Sequence, residues 1–244
     1  MLRERKKMDE KFNDENGVFF EYQAWLGKQN LVTAEIISQF PSFVGHVNLA
    51  RFLSLYEVYH STLQLSGSIA DLGTWKGASF FTFGKLVKIF EPYSNTEVHG
   101  FDWFRGQVPG ENDGPRNAGK YISSKDDLLQ MIKMQGLEGL MKLHDLDLVT
   151  EIEHFFSSHP ALRFKVAFID CGIESVLKSS LPVIWSRMVP GGVLILDHFN
   201  HETSPTESLI LLETIGNVKI EQASFSRSPT GFIRKPSDSR SREC

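Results

Sequence analysis

The stretch "IADLGTWKGASFF", residues 69–81, decides how the rest of the chain is interpreted. It begins with a short apolar run that ends at Asp71, continues through a turn bracketed by Gly73 and Gly77, and leads into the helical pattern of "SFFTFGKLVKIF". A strand, a glycine turn and a helix are typical of an open α/β sheet, in which ligands bind outside the carboxyl ends of the strands. The stretch therefore predicts a ligand site at this turn.

The turn does not match the two common phosphate-binding patterns. A phosphate loop has lysine directly after its second glycine, and this chain has Ala78 there. A dinucleotide loop has a glycine two residues after the first, and this chain has Trp75 there, whose indole would obstruct a pyrophosphate. The carboxylate of Asp71 would also repel phosphate and attract an ammonium group. The turn therefore favours a ligand with a positive amino group.

A second acid stands at the end of the next apolar run, "EVHGFDWF". There Asp102 could accept hydrogen bonds from two ribose hydroxyls, and Trp103 and Phe104 could cover an adenine ring. An amino acid, a ribose and an adenine without phosphates make up S-adenosylmethionine, so we predict this cofactor. The alternative is that Asp71 and Asp102 only cap the helices that follow them.

Short apolar runs alternate with helical patterns beyond Gly67. The predicted strands are "SIADLG", "EVHGFDWF", "LMKLHDLD", "FKVAFIDC" and "GGVLILDHF", and "VKIEQAS" and "TGFIRK" are predicted to pair as a terminal hairpin. This alternation predicts an α/β domain with a mostly parallel sheet and helices on both faces. We expect a flexible arm over residues 1–17, a helical extension over 18–65 with two helices separated by Pro41, the α/β domain over 66–234 and a flexible tail over 235–244.

The composition is typical of a soluble globular protein. The 244 residues are 41% hydrophobic and 23% charged, with a net charge of −4. No apolar run is long enough to predict a membrane span, and no clustered basic face predicts a nucleic-acid partner. The charged start "MLRERKKMDEKFNDENG" lacks an apolar signal core, and the only cysteines are Cys171 and Cys244. We therefore expect a cytoplasmic location.

Three segments together resemble class I S-adenosylmethionine-dependent methyltransferases. They are the glycine turn after Asp71, the strand "VHGFDWF" and "FIDCGIESVLKSSLPVIWSRMVPGGVLILDHFN", residues 168–200. More narrowly, residues 45–215 are similar to the macrocin, mycinamicin and novobiocin sugar O-methyltransferases. The resemblance implies a Rossmann-like fold with a seven-stranded, mostly parallel sheet, and methyl transfer to an oxygen.

The resemblance also implies roles for individual residues. The residues that would bind the cofactor are Asp71, Gly73, Thr74, Gly77, Ser79, Asp102, Trp103, Asp145, Leu146 and Asp170. Among them, Asp71 would hold the methionine part and Asp102 the ribose, while Asp145 and Leu146 would border the adenine together with His144. Asp170 would lie beneath the sulfonium and near the acceptor, as a catalytic residue.

The chain departs from the family pattern where the resemblance implies a magnesium ion held by carboxylates. Gly172 and His198 stand where relatives have aspartates, while Asp170 and Asp197 remain. In one interpretation, Asp170, Asp197 and His198 bind a divalent metal, either magnesium or a transition metal, because imidazole is a poor magnesium ligand. In a second, no metal binds and His198 is the catalytic general base. In a third, His198 only ends its strand with a satisfied hydrogen bond.

The acceptor is expected to be a small molecule, most simply a sugar hydroxyl of a glycosylated natural product or a glycan. The alternatives are a metal-independent O- or N-methyltransferase for another small molecule, and a cofactor-binding protein that has lost catalysis. The loop over residues 105–120 is long enough to act as a lid over the acceptor, or to be a mobile surface loop. The helices within 18–65 would either cover the acceptor site or join two copies of the chain into a dimer.

Overall fold

The structure is a computed structural model that describes residues 13–110, 113, 118–200, 205–222 and 225–237. The chain divides into two compact units, residues 1–50 and 51–244. In the first unit α1 spans Asn13–Leu26, α2 Thr33–Ser38 and α3 Phe40–Phe43, and α4 begins at His46 and runs on to His60. The domain boundaries expected from the sequence stay predictions.

The prediction of two helices separated by Pro41 is wrong. The stretch from Asn13 to His60 contains four helices, and Pro41 lies in the first turn of α3. A proline is tolerated there because the first N–H groups of a helix have no partner within the helix. The chain also leaves the helical conformation over residues 27–32, after Leu26.

The second unit alternates strands and helices as the sequence predicts. The strands are β1 Ser68–Leu72, β2 Val98–Asp102, β3 Met141–Asp145, β4 Phe164–Ile169, β5 Met188–Leu196, β6 Ile220–Gln222 and β7 Gly231–Arg234. The helices between them are α5 Ala78–Phe90, α6 Lys125–Met134, α7 Ile152–Ser158, α8 Glu174–Arg187 and α9 Thr206–Ile215.

The strands form one seven-stranded sheet in the order β3-β2-β1-β4-β5-β7-β6, in which only β7 runs antiparallel to its neighbours. The Rossmann-like α/β fold and the terminal hairpin are therefore confirmed. From β1 the chain builds outward to β3 and then returns to place β4 on the other side of β1. The carboxyl ends of β1 and β4 flank this reversal, which is where ligands of open α/β sheets bind.

Two apolar clusters cover the two faces of the sheet. The first includes Leu55 and Tyr59 of α4 and Phe80 and Phe83 of α5. The second includes apolar side chains of α7, α8 and α9, such as Phe156. The central strands are buried on both faces, which explains why they read as continuous apolar runs in the sequence.

Two helical features go beyond the sequence pattern. No element is predicted for residues 206–215, yet they form α9, whose Ile210 and Leu211 are buried. The four consecutive apolar residues of this run hide its helical period. From the sequence, Pro182 could bend α8 or mark its start, and it lies inside the helix. Among the described residues, no helix is both long and apolar enough to cross a membrane.

Candidate cofactor and catalytic site

Asp71 lies near the end of β1 and is fully buried. Its Oδ1 accepts a hydrogen bond of 2.6 Å from the Ser79 hydroxyl, and the Thr74 hydroxyl donates to its backbone carbonyl at 3.1 Å. Its Oδ2 is also buried but accepts no hydrogen bond from any residue that the structure describes. Burial raises the pKa of Asp71 to about 6, although the hydrogen bonds oppose this rise. A buried carboxylate oxygen of this kind requires a donor, and an ammonium group would provide one.

Packing within the protein explains the two glycines of the turn. Both have positive φ angles, 83° at Gly73 and 84° at Gly77. A Cβ atom at Gly73 would collide with the backbone carbonyl of Asp170, and one at Gly77 would lie 2.7 Å from the ring of Phe81. The absent side chains therefore allow β1 to approach the end of β4 and α5 to start directly after the turn. Thr74 and Ser79 likewise point inward at Asp71.

Asp102 ties the glycine turn to the end of β2. Its Oδ2 accepts a hydrogen bond from the backbone N–H of Trp75, and its Oδ1 accepts one from the N–H of Phe104, both at 2.7 Å. Each carboxylate oxygen keeps a second lone pair, so a ribose hydroxyl could still donate to it. Phe104 belongs to the apolar core, so the expectation that it covers an adenine is wrong. The half-buried Trp103 instead donates from Nε1 to the carbonyl of Gly106.

Trp75 has a different role from the steric obstruction inferred from the sequence. Its φ of 46° is positive, and its indole Nε1 donates to the carbonyl of Ile122 at 3.3 Å. The Ser123 hydroxyl donates to the carbonyl of Trp75 at 2.8 Å, and the Tyr121 ring meets the indole edge-on at 5.2 Å. The indole therefore anchors the far end of the loop between β2 and α6.

That loop contains the predicted lid, and parts of it lie outside the described residues. An antiparallel bridge between Arg105 and Ile122 closes its base. Near its middle, Asp113 accepts a hydrogen bond of 2.9 Å from the backbone N–H of Glu174, the first residue of α8. The loop is thus tied both to the glycine turn through Trp75 and to the region after β4. Its function as a lid stays a prediction.

The residues predicted to border the adenine lie at the end of β3, beside Asp102. Asp102 and Asp145 are partners in the parallel register of β2 and β3, and the N–H of Leu146 donates to the Asp102 carbonyl at 2.9 Å. Asp145 is exposed and lies 3.4 Å from Lys125. His144 stacks on Phe101 at 4.8 Å. The structure therefore brings Asp71, Asp102 and Asp145 to one edge of the sheet.

The ends of β4 and β5 carry a charged cluster around Arg51, a residue of α4. Arg51 donates from Nη2 to Oδ2 of Asp170 at 2.9 Å and from Nη1 to Oδ1 of Asp197 at 2.5 Å. Its Nη1 also donates to the Ser228 hydroxyl, which in turn donates to Oδ1 of Asp197. On another side the guanidinium lies 5.1 Å from the centroid of the Phe168 ring. Sequence reasoning missed Arg51, although an arginine inside the apolar "VNLARFLSLY" pattern was a usable signal.

His198 is held on the other oxygen of Asp197. The distance from its Nδ1 to Oδ2 of Asp197 is 3.2 Å, and its side chain is 37% exposed. Its backbone N–H donates to both carboxylate oxygens of the buried Glu207, at 3.1 and 3.2 Å. Glu207 belongs to α9, the helix that the sequence pattern did not reveal, so its contact with His198 was also missed.

Two carboxyl groups near Arg51 and His198 have a raised pKa, and a third has a lowered one. Burial and then the charge of Asp197 raise the pKa of Asp170 well above its usual range. The pKa of Glu207 is raised in the same way. Burial also acts on Asp197, but the charge of Arg51 and the hydrogen bonds from Ser228 and Arg51 oppose it, and the pKa of Asp197 is lowered. Asp197 is therefore the carboxylate that stays charged most readily.

The predicted metal ligands Asp170, Asp197 and His198 come together, with one ligand atom from each within 4.8 Å of the others. As arranged, however, they do not fit a divalent ion. Both carboxylates already receive hydrogen bonds from Arg51, whose positive charge would repel a second cation. Magnesium also prefers an octahedral set of oxygen ligands to an imidazole. The predicted metal site stays a prediction that this arrangement disfavours.

Comparison with known proteins completes the description. No curated protein matches the sequence. The solved structure of CalS11, a calicheamicin methyltransferase, aligns with a TM-score of 0.79 and 19% identity over 91% of this chain and 92% of CalS11. The apo structure of CalS11, described as a TDP-rhamnose 3'-O-methyltransferase, aligns with a TM-score of 0.74. The O-methyltransferase NovP aligns with a TM-score of 0.63 and 13% identity over 78% of this chain and 81% of NovP.

Identities this low show a shared fold, and the predicted resemblance to class I methyltransferases of the sugar O-methyltransferase kind is confirmed at that level. A family model described as a methyltransferase domain matches residues 70–199, which is more than half of the 244 residues. The match contains Asp71, Asp102, Asp170 and Asp197. The chain therefore belongs to this family of methyltransferases.

Proposed function

We propose that this methyltransferase transfers the methyl group of S-adenosylmethionine to an oxygen, and that the acceptor is a sugar hydroxyl of a small metabolite or glycan. The observation that carries the proposal is the buried Oδ2 of Asp71, which lacks a donor among the described residues at the carboxyl end of β1. The descriptions of CalS11 and NovP support oxygen, and that of CalS11 a deoxysugar, as the acceptor.

Four residues at neighbouring strand ends match three parts of the methyl donor. Asp71 would accept hydrogen bonds from the ammonium group, whose charge would stabilise the buried carboxylate. Asp102 would receive the ribose hydroxyls on its remaining lone pairs. Leu146 and the ring of Trp103 would border the adenine, because both lie beside Asp102.

The chemistry requires a nucleophile in line with the methyl group and a group that accepts its proton. When bound, S-adenosylmethionine supplies a methyl group on a positively charged sulfur. Asp71 and Asp102 would hold the donor, whose carbon–sulfur bond would break with its electron pair left on sulfur as the acceptor oxygen takes the methyl group. The hydroxyl proton passes to a ring nitrogen of His198, because Asp197 orients the imidazole through Nδ1 and stabilises the imidazolium that forms.

Calorimetry and product analysis test this proposal. We expect S-adenosylhomocysteine to bind the wild type with one site per chain, and labelled S-adenosylmethionine to methylate one member of a panel of nucleotide-linked and glycosidic sugars, with the methylated oxygen identified by NMR. His198→Ala should lower turnover by about a hundredfold or more while S-adenosylhomocysteine binding is kept. His154→Ala, which changes an exposed histidine of α7, is the matched control.

Three results would contradict the proposal. Without S-adenosylhomocysteine binding, the donor assignment is wrong. Binding without transfer to any sugar of the panel would favour an N-methyltransferase or a protein that has lost catalysis. Full turnover by His198→Ala would remove His198 from the mechanism. The dimer and the cytoplasmic location expected from the sequence stay predictions.

A further inference from the structure

We infer that Arg51 is the built-in cation of this site, so that methyl transfer proceeds without a divalent metal. The inference deepens the proposed function and rests on it for the methyl-transfer reaction. Its prediction about ion binding depends on the structure alone. The guanidinium lies between the carboxylates at the ends of β4 and β5, with contacts of 2.9 Å to Asp170 and 2.5 Å to Asp197.

The position of the guanidinium is fixed on several sides. Asp170, Asp197 and the Ser228 hydroxyl accept its hydrogen bonds, and the Phe168 ring lies 5.1 Å from its central carbon. Its side chain is only 21% exposed. A planar guanidinium with several donors suits such a divided set of acceptors better than a lysine would. Arg51 is therefore held in place, and its departure would leave Asp197, 5% exposed, without its strongest partner.

The charge balance argues against a second cation in this position. One positive charge between two carboxylates already stabilises both, and a divalent ion binding there would lie within a few ångströms of the guanidinium. At such separations in a partly buried site the two cations repel each other strongly. A metal would also take the Asp197 oxygen that faces His198, or the one that Ser228 and Arg51 share.

Arg51 thereby acts as a positioning residue with two effects. It holds Asp170 at the end of β4, beside Gly73 of the donor-binding turn. It also fixes Asp197, whose second oxygen contacts Nδ1 of His198. A divalent ion would have to perform both tasks if the arginine were absent.

Titration with Mn²⁺ tests the inference without any acceptor. In electron paramagnetic resonance, the signal of free Mn²⁺ should be unchanged by the wild-type protein, and EDTA should leave methyl transfer unchanged. Arg51→Met removes the positive charge but keeps much of the side-chain volume. It should bind one Mn²⁺ per chain at least about tenfold more tightly than the wild type, and adding Asp197→Asn should abolish that gain.

Two controls sharpen the experiment. Arg163→Met removes another arginine, one whose contacts are the backbone carbonyls of Pro160 and Leu162, and it should behave like the wild type. Arg51→Lys keeps the charge and should gain no Mn²⁺ site, while its turnover should fall by about tenfold or more because a lysine cannot bridge both carboxylates.

The outcomes separate this inference from the proposed function. Stoichiometric Mn²⁺ binding by the wild type, or loss of turnover in EDTA with recovery on adding Mn²⁺, would overturn it. Folded Arg51→Met protein that binds S-adenosylhomocysteine but gains no Mn²⁺ site would also overturn it. If Arg51→Met does not fold, the wild-type titration decides. Failure to find a sugar acceptor would count against the proposed function but would not alter any Mn²⁺ result.

Discussion

Strand β4 has a charged cluster at each end, and the two clusters differ in their balance of positive and negative charges. Near its start, Lys165 is fully buried and donates to both oxygens of Glu91, at 2.6 and 2.7 Å. Directly after its end, Asp170 shares the guanidinium of Arg51 with Asp197. We call the first the base cluster and the second the top cluster. In the base cluster one positive charge faces one negative charge, whereas in the top cluster one positive charge faces two.

We interpret the base cluster as stabilising the fold and the top cluster as part of the proposed site. In the base cluster the Glu91 oxygens also receive hydrogen bonds from Tyr59 and Thr96, at 2.7 and 2.9 Å. Burial alone would raise the pKa of Glu91, but these bonds and the charge of Lys165 lower it. At the top edge of the sheet the pKa values of Asp71 and Asp170 are raised. The top edge therefore holds excess negative charge, which a cationic ligand would relieve.

The largest expected effect comes from breaking the base cluster. Lys165→Met leaves the Glu91 carboxylate buried without its cation, and this should lower the free energy of unfolding by about 3–5 kcal/mol. Urea denaturation followed by circular dichroism measures the change. S-adenosylhomocysteine binding at low temperature should be unchanged, because the base cluster lies at the opposite ends of the strands from the proposed site.

Two further variants check that explanation. Lys178→Met removes an exposed lysine from its contact with Glu174 in the preceding turn of α8, and the unfolding midpoint should stay where it is. Combining Lys165→Met with Glu91→Met removes both buried charges and should recover most of the lost stability. A double variant as unstable as Lys165→Met alone would show that packing, rather than an unpaired charge, explains the loss.

The second prediction concerns the top edge of the sheet, where removing a buried charge should raise the stability of the protein instead of lowering it. Asp71→Asn keeps the volume and an acceptor for Ser79 but removes the buried negative charge. Affinity for S-adenosylhomocysteine should fall by about tenfold to a hundredfold, while the free protein becomes more stable at pH 8 by up to about 3 kcal/mol. Lower stability together with unchanged affinity would make Asp71 a structural residue rather than a ligand-binding one.

The raised pKa of Asp71 also gives this variant a pH dependence. Its folded-state pKa is about 6, against an ordinary value of 3.8. As the pH falls, the folded protein therefore takes up this proton before the unfolded chain does. The resulting gain in stability builds up between pH 6 and pH 3.8, and it is lost as the pH rises again through 6. The stability advantage of Asp71→Asn should thus shrink between pH 8 and pH 4. Wild-type affinity for S-adenosylhomocysteine should weaken below about pH 6, since a protonated Asp71 offers no charge to the ammonium group.

The same comparison explains what the sequence could predict. Asp71, Asp102, Asp170 and Asp197 each follow an apolar run, and parallel strands bring their carboxyl ends to one edge. Their approximate placement therefore followed from local pattern alone. The alternation of short apolar runs with helical patterns likewise predicted the α/β sheet before its strand order was known.

Residues that act across long separations could not be predicted in this way. Arg51 lies 119 positions from Asp170 and Ser228 lies 31 from Asp197, and no local pattern links such pairs. Glu207 was hidden because α9 was missed. Lys165 and Glu91 pair although they lie 74 positions apart, and no local pattern links them either. A single sequence therefore indicates on which element a charged residue lies, but it does not indicate which other charged residue it pairs with.

A histidine pair in the neighbouring strands β2 and β3 provides the third prediction. His99 in β2 and His144 in β3 approach within 3.0 Å, from Nδ1 to Nε2, and burial lowers both pKa values to about 4. Since both folded-state values lie below the ordinary 6.5, stability present above pH 6.5 should be lost as the pH falls toward 4.

Replacing one member of the pair measures this effect. His99→Phe keeps an aromatic ring in the stack with Phe101 and should recover about 1–2 kcal/mol of the stability that the wild type loses between pH 7 and pH 5. Thermal unfolding at both pH values gives the comparison, with His154→Ala as the exposed control. Equal acid losses in wild type and His99→Phe would assign the loss to other groups.

The smallest predicted effect removes one hydroxyl from the top cluster. Ser228 accepts a hydrogen bond from Arg51 and donates one to Asp197, so Ser228→Ala leaves both charged partners in place but less constrained. We expect turnover to fall by about threefold to tenfold, equivalent to about 0.5–1.5 kcal/mol, with the urea midpoint and S-adenosylhomocysteine affinity nearly unchanged. Steady-state kinetics beside denaturation measure both. A larger loss of stability than of turnover would mean that the top cluster, like the base cluster, serves mainly to stabilise the fold.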